Sequence, residues 1–248
     1  GEVYQPLIIA PPVTSSIAEK AYVFTGNTSK TIQIQLKAYR DKSNGTLIPT
    51  VPSGWKVEPE KIKFELAKKG AEKTVEFNII PSDAALSGVF ALHIETPQGN
   101  FNRGNRVINY DHIPLQTLFP LAEAKIERID LITGGKKIGY LQGAGDLIPE
   151  SLQQIGYQVQ LLSEAEIMNS DLSQYDAIIS GVRAYNVNER LNLMHPKLMD
   201  YVNKGGTYLV QYNVNNPLLV QNIGPYPFKL SRDRVTEENA VVTFLDTD

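Results

Sequence analysis

Residues 31–39 alternate strictly. Ile32, Ile34, Leu36 and Ala38 fall on one side of an extended chain, and Thr31, Gln33, Gln35 and Lys37 on the other. A period of two can bury one face only as a half-buried strand. The pattern returns at Ile62, Phe64 and Leu66, at Val75, Phe77 and Ile79, and at Phe90, Leu92 and Ile94, each set interleaved with polar residues. Shorter strand candidates are 3–9, 21–25 and 106–110. Turn signals separate them: Gly26-Asn27, Ser43-Asn44-Gly45, Pro52-Ser53-Gly54, Lys69-Gly70 and Gln98-Gly99-Asn100. About seven short strands at this spacing, with no helical period, predict an all-β, Ig-like sandwich over residues 1–116.

The period then changes. Residues 117–135, broken by Pro120 and closed by Gly134-Gly135, read as a connector in which 121–132 fits either a strand or a short helix. From 136 to 248 strand and helix signals alternate. Residues 136–142 read as a strand, Gly143-Ala144-Gly145-Asp146 as a tight turn, and 147–155 as a helix capped by Asp146 with Pro149 in its first turn. A strand at 157–162 follows, then a capping box in Ser163-Glu164-Ala165-Glu166, and a strand at 175–180 leading into Gly181-Val182-Arg183-Ala184-Tyr185-Asn186. Residues 188–203 read as a helix interrupted at His195-Pro196. Gly205-Gly206 stops it, and 207–212 and 240–245 read as further strands. Such alternation implies parallel strands with right-handed crossovers. The predicted class is therefore two domains: the sandwich, then an α/β flavodoxin-like domain over 136–248 with a mostly parallel sheet. That second domain is expected to be cut short at its C-terminus, and Gly1 reads as the remnant of a cleaved tag or trimmed start.

Composition narrows the chemistry. Net charge is −3 without long runs of either sign, so nucleic acid and anionic membrane are poor default partners. No apolar stretch approaches the roughly 20 residues needed to span a bilayer. With no cysteine there is no disulfide, no thiolate metal ligand and no cysteine nucleophile. His93, His112 and His195 stand in no recognised ligand spacing, so no metal site is expected.

Several segments carry a family resemblance. Residues 138–146 (IGYLQGAGD), 171–186 (DLSQYDAIISGVRAYN), 205–212 (GGTYLVQY) and 234–238 (RVTEE) together resemble the C-terminal region of large bacterial PIG-L (LmbE-like) deacetylases, especially those of Bacteroidetes. That region is similar to the class I glutamine-amidotransferase and ThuA-like folds. The pattern from Pro52-Ser53-Gly54-Trp55 to Lys69-Gly70 resembles an Ig-like module associated with α-galactosidases. The resemblance implies a parent enzyme, a zinc-dependent N-acetyl-sugar deacetylase whose metal would sit in a separate N-terminal domain bearing His-Pro-Asp-Asp. Here His195-Pro196 is followed by Lys197-Leu198. The chain is thus expected to be a non-catalytic accessory region needing no cofactor of its own. Its implied partners are the parent's deacetylase domain and carbohydrate, and its implied location is periplasmic or extracellular.

Four chemistries can be weighed at the strand ends. An amidotransferase-like nucleophile would fall near Gln211 or Tyr212, neither of which is a competent nucleophile, and His195 precedes that strand. A phosphate cradle at Gly143 to Asp146 is opposed by the acidic cap, and paired glycines at such a turn commonly serve backbone geometry. A polar crevice is the third. If the first and third strands of the second domain are neighbours, Gly143, Gly145 and Asp146 would face Arg183, Tyr185 and Asn186, with Gln211, Tyr212 and Asn213 alongside. Those side chains suit a neutral, hydroxyl-rich ligand such as a sugar. The alternative is that Arg183 pairs internally with Asp146 or Glu237. A hydrolase using Asp146 or a glutamate as base, and a purely structural spacer, are the remaining readings. Trp55 is expected to anchor the sandwich.

Overall fold

The alternating stretches become strands that bury the faces their spacing defines. The computed structural model describes residues 7–215, 218–220, 222–227, 229–233, 236–237, 239–241 and 243. The chain divides into two units, Gly1–Ile132 and Thr133–Asp248.

The first unit runs β1 (Val13–Ile17), β2 (Ala21–Thr25), β3 (Lys30–Ala38), β4 (Ser43–Thr50), β5 (Lys56–Glu58), β6 (Ile62–Leu66), β7 (Glu72–Ile80), β8 (Leu86–Thr96), β9 (Gly99–Phe101), β10 (Arg106–Ile108), β11 (Gln116–Leu118) and β12 (Glu123–Ile129). One sheet has the order β1-β3-β7-β5. A second has the order β2-β12-β8-β4-β6, with β9 on β8. The inner faces of the two sheets meet in one core that includes Ile34, Leu36, Phe77, Leu47, Phe90 and Ile94. Each side chain so buried contributes about 1.5–3 kcal/mol of transfer free energy. Phe77 of one sheet meets Phe90 of the other edge-to-face at 6.4 Å. Trp55 is buried against Phe24 with ring centres 4.9 Å apart. The unit is a β-sandwich.

Three readings of this half need correction. Ser43-Asn44-Gly45 is not a turn but the start of β4. The turn lies one step earlier, where Lys42 takes φ 53°. Gly45 is required for another reason: a Cβ there would strike the Glu95 carbonyl oxygen and lie 3.2 Å from the Phe64 ring. The segment 117–135 is not a connector, because β12 lies between β2 and β8 with Ala124 and Ile126 buried. Its third inward position is Arg128, buried and paired with Asp130, and this charge hides the alternation. In the proposed strand at 3–9, residues 3–6 lie outside the described residues and 7–9 are not strand.

The second unit runs β13 (Lys137–Leu141), α1 (Ile148–Gln154), β14 (Gln158–Leu161), α2 (Glu164–Asn169), β15 (Ala177–Ser180), α3 (Ala184–Val187), α4 (Leu191–Asn203) and β16 (Thr207–Val210). Its four strands are all parallel, in the order β14-β13-β15-β16. Leu191, Met194, Leu198 and Tyr201 of α4 pack with Leu141 and Ile178 in one core, and Ile138, Tyr140 and Ile179 form a smaller one with Leu152. α4 is continuous, with Pro196 inside it, so the expected interruption is absent. Residues 242, 244 and 245 of the proposed last strand lie outside the described residues.

The expected class, an all-β domain plus a flavodoxin-like and amidotransferase-like α/β domain, is overturned. Among the described residues the structure is mostly β, with 39% strand against 14% helix, and is built of several sheets of which one is parallel. Among the described residues, three of the four α-helices have seven, six and four residues, so the predicted helical layers shrink to one or two turns each. Among the described residues, no helix is long and apolar enough to cross a membrane.

Candidate functional site

Because β13, β15 and β16 are parallel neighbours, their C-terminal ends and the loops that follow emerge at the same side of the sheet. The turn at 143–146 and the loop at 181–183 are in backbone contact. Ala144 N–H donates to the Val182 carbonyl at 2.8 Å, and a Cβ on Gly143 would collide with that carbonyl. Gly143 is therefore needed for close approach, and Gly145 for its φ of +105°.

Asp146 ties the two loops to the sheet. The Tyr140 hydroxyl lies 2.7 Å from both of its carboxylate oxygens. Ile148 N–H donates to Oδ1 at 3.0 Å and Val182 N–H to Oδ2 at 3.3 Å. Burial pushes this carboxyl up, but the Tyr140 hydroxyl and the two N–H groups outweigh it and hold Asp146 below the usual carboxylate range. Tyr140 is pushed up, first by burial and then by its bond to Asp146. The Tyr140 oxygen also accepts from Gln211 Nε2 at 2.9 Å. Asp146 was expected to cap α1, but Leu147 holds the cap position and Asp146 reaches Ile148 N–H from one residue further back.

Arg183 stands apart. Its backbone is left-handed, φ 58° and ψ 22°, and its N–H donates to the Tyr212 carbonyl at 2.7 Å. Its side chain is exposed and, among the described residues, makes no ion pair or hydrogen bond, so the alternative of an internal pairing with Asp146 or Glu237 is not met there. Tyr212 is 61% exposed.

The other proposed ligand residues serve the framework. Tyr185 is fully buried, with its hydroxyl 3.2 Å from His195 Nδ1 and 3.0 Å from the Tyr208 hydroxyl. Asn186 bonds Val214 in both directions, at 2.9 and 3.0 Å. Asn213 accepts from Tyr185 N–H at 3.1 Å and donates to the Gln211 carbonyl at 2.8 Å. The structure thus gathers Gly143, Gly145, Asp146, Arg183, Gln211 and Tyr212 at one end of the sheet, but turns Tyr185 and Asn186 inward. Sequence reasoning missed Tyr140, the centre of the network. The available signal was a tyrosine inside an otherwise apolar strand, since a buried hydroxyl needs a partner.

The arrangement offers little for bond cleavage. Asp146 has its acceptors engaged and is biased toward the charged form, opposite to a base tuned by burial. Among the described residues no cluster of three or more histidine, cysteine or acidic side chains could hold a metal. A cavity of about 240 Å³ lies at the other end of the strands, against Asp171, Asp176, Lys197, Asp200 and Lys204. Its carboxylates are already engaged: Asp200 with Lys204 at 2.7 Å, Asp176 with two backbone N–H groups, and Asp171 with Ser173.

No family model matches the chain, and no curated protein does. Among solved structures it is similar to an E. coli alpha-2-macroglobulin in its native conformation, with 12% identity over 50% of this chain, and a TM-score of 0.33. It spans only 7% of that protein's length. A protein of unknown function from Porphyromonas gingivalis W83 matches at 10% identity over 55% of this chain and 61% of its own, with a TM-score of 0.30. A non-cellulosomal cohesin from the hyperthermophilic archaeon Archaeoglobus fulgidus matches at 11% identity over 47% and 92%, with a TM-score of 0.27. Likeness at this level carries nothing over to the chain.

Proposed function

We propose that this chain is a non-catalytic, glycan-binding accessory region that works beside a PIG-L-type N-acetyl-sugar deacetylase domain, in the periplasm or outside the cell. The observation that carries the reading is Arg183. It is held in a left-handed conformation, exposed and without a side-chain partner among the described residues, and its backbone N–H bonds the carbonyl of Tyr212, a residue that is itself exposed. Backbone strain kept at a polar loop is a pointer to function. A guanidinium fork beside an aromatic face suits a sugar, whose hydroxyls accept hydrogen bonds while its C–H face stacks. Asp146, Tyr140, Asn186 and Asn213 supply the rigid platform beneath.

The hydrolase reading fares worse, since its best base is engaged on both oxygens. Any zinc chemistry would belong to the partner domain. Titrating the chain with a panel of neutral and N-acetylated oligosaccharides tests the proposal. Saturable binding that weakens at least roughly tenfold in Arg183→Ala and in Tyr212→Ala is expected. Absence of any binder, or variants that bind like the parent, sinks it. The association with a deacetylase predicts a His-Pro-Asp-Asp segment in the same native reading frame.

A further inference from the structure

Gln211 lies just past β16 and is tied down everywhere but at one end. Its N–H donates to the Ser180 carbonyl at 3.1 Å, its carbonyl accepts from Asn213 Nδ2 at 2.8 Å, and its Nε2 donates to the Tyr140 hydroxyl oxygen at 2.9 Å. Oε1 accepts from no described residue. The side chain is half-buried, and Oε1 is not among the enclosed, unpartnered atoms of the fold, so solvent reaches it.

The sense of the Gln211 amide is set from the far end of this chain of bonds. A phenol has one hydrogen to give. At Tyr140 it goes to Asp146, whose two oxygens each lie 2.7 Å away and, while charged, only accept. The Ile148 and Val182 N–H groups donate to the same carboxylate and help to hold it charged. The Tyr140 oxygen can then only accept, so Gln211 must turn its NH2 inward and its Oε1 outward. The reversed amide would set two acceptors against each other at 2.9 Å, beside a tyrosine that is only 1% exposed. What faces solvent is therefore a fixed pair: the Oε1 acceptor and the second Nε2 hydrogen. The bond to Ser180, and that from Arg183 N–H to the Tyr212 carbonyl at 2.7 Å, place this pair in the same set of loops as Arg183.

We propose that Gln211 sets hydroxyl specificity at the Arg183 site, its Oε1 requiring a donating hydroxyl and its spare N–H taking the oxygen of the neighbouring one. The group it selects is a vicinal diol of a sugar ring. Arg183 offers donors alone, so Gln211 supplies the acceptor that distinguishes a hydroxyl from a group that only accepts. Tyr140 and Asp146 are positioning residues that act through it. This role rests on the glycan reading of Arg183.

Methyl glycosides of glucose, galactose and mannose, each with its monodeoxyfluoro derivatives, are titrated into the isotope-labelled full chain and followed by NMR. Fluorine takes the place of a hydroxyl but has no hydrogen to donate. At one ring position of a glycoside that binds, the fluoro derivative should be roughly fivefold weaker, and Gln211→Ala should erase that ratio. Tyr140→Phe keeps the glutamine but frees its amide, so the ratio should fall below about twofold. In the free chain, one Gln211 Nε2 hydrogen should exchange at least roughly tenfold more slowly in the parent than in Tyr140→Phe. Gln211→Ala, at a half-buried position, decides alone if Tyr140→Phe does not fold. Binding without a fluoro ratio, the same ratio in Gln211→Ala, or equal exchange in the parent and Tyr140→Phe overturns the role of Gln211 and leaves the Arg183 reading standing. A protected Nε2 hydrogen with no glycoside bound up to about 100 mM fails the Arg183 reading instead, and this role falls with it.

Discussion

Arg183 carries a conformational cost that glycine would not. A left-handed L-residue costs roughly 1–2 kcal/mol, while glycine's larger unfolded-state entropy costs about 0.5–1 kcal/mol. Arg183→Gly should therefore stabilise the second unit by about 0.5 kcal/mol in urea unfolding, while abolishing glycan binding. A clear loss of stability would mean that the guanidinium makes contacts the backbone depends on. The glycines beside it were readable as a turn because no other residue tolerates φ +105° at Gly145. Tyr140 was not readable, because nothing local says that its hydroxyl meets Asp146 from below or Gln211, 71 residues away and just past the end of β16.

The start of α2 is encoded locally and came out as expected, whereas the cap of α1 fell on Leu147 instead of Asp146. The capping box of α2 is present, with Ser163 accepting from Glu166 N–H and Glu166 accepting from Ser163 N–H at 2.8 Å. Ser163→Ala should cost about 1 kcal/mol of stability, seen as faster amide exchange across α2. The bonds from Ser163 N–H, Ser163 Oγ and Gln160 hold the Glu166 carboxyl low. Its contribution is thus complete above the unfolded value and is lost as pH falls through the lower folded one. α4 shows the opposite case. An internal proline costs about 3 kcal/mol, but burying Leu191, Met194, Leu198 and Tyr201 contributes about 1.5–3 kcal/mol each, so packing keeps the helix continuous through Pro196. Local rules fail in an element's interior wherever tertiary burial outweighs them.

At the scale of the whole molecule, the second unit contains a pH-sensitive core. His195 is half-buried against Tyr185, whose hydroxyl also meets that of Tyr208, and burial lowers its pKa. A histidine depressed in the folded state binds fewer protons there than when unfolded. Its contribution is therefore complete above the unfolded value, about 6.5, and declines as pH falls below it. The unfolding midpoint of this unit should drop between about pH 7 and 5, and His195→Gln should flatten that part of the curve. A pH-independent midpoint in the parent would show that the imidazole protonates freely in the fold.

By itself the sequence determined which faces are buried. The alternation at Ile32, Ile34 and Leu36 leaves a strand no other way to hide three apolar side chains, and Gly143 and Gly145 allow little besides a tight turn. Only the tertiary structure decided where those pieces go. It made Gly45 a contact residue instead of a turn, drew Arg128 and its strand into the sandwich, kept three of the second unit's helices short, and left Arg183 unpaired among the described residues while consuming Asp146. The reason is physical: periodicity and capping act over a few neighbouring residues, whereas the partner that satisfies a buried hydroxyl, carboxylate or guanidinium is chosen by whichever distant strand packs beside it.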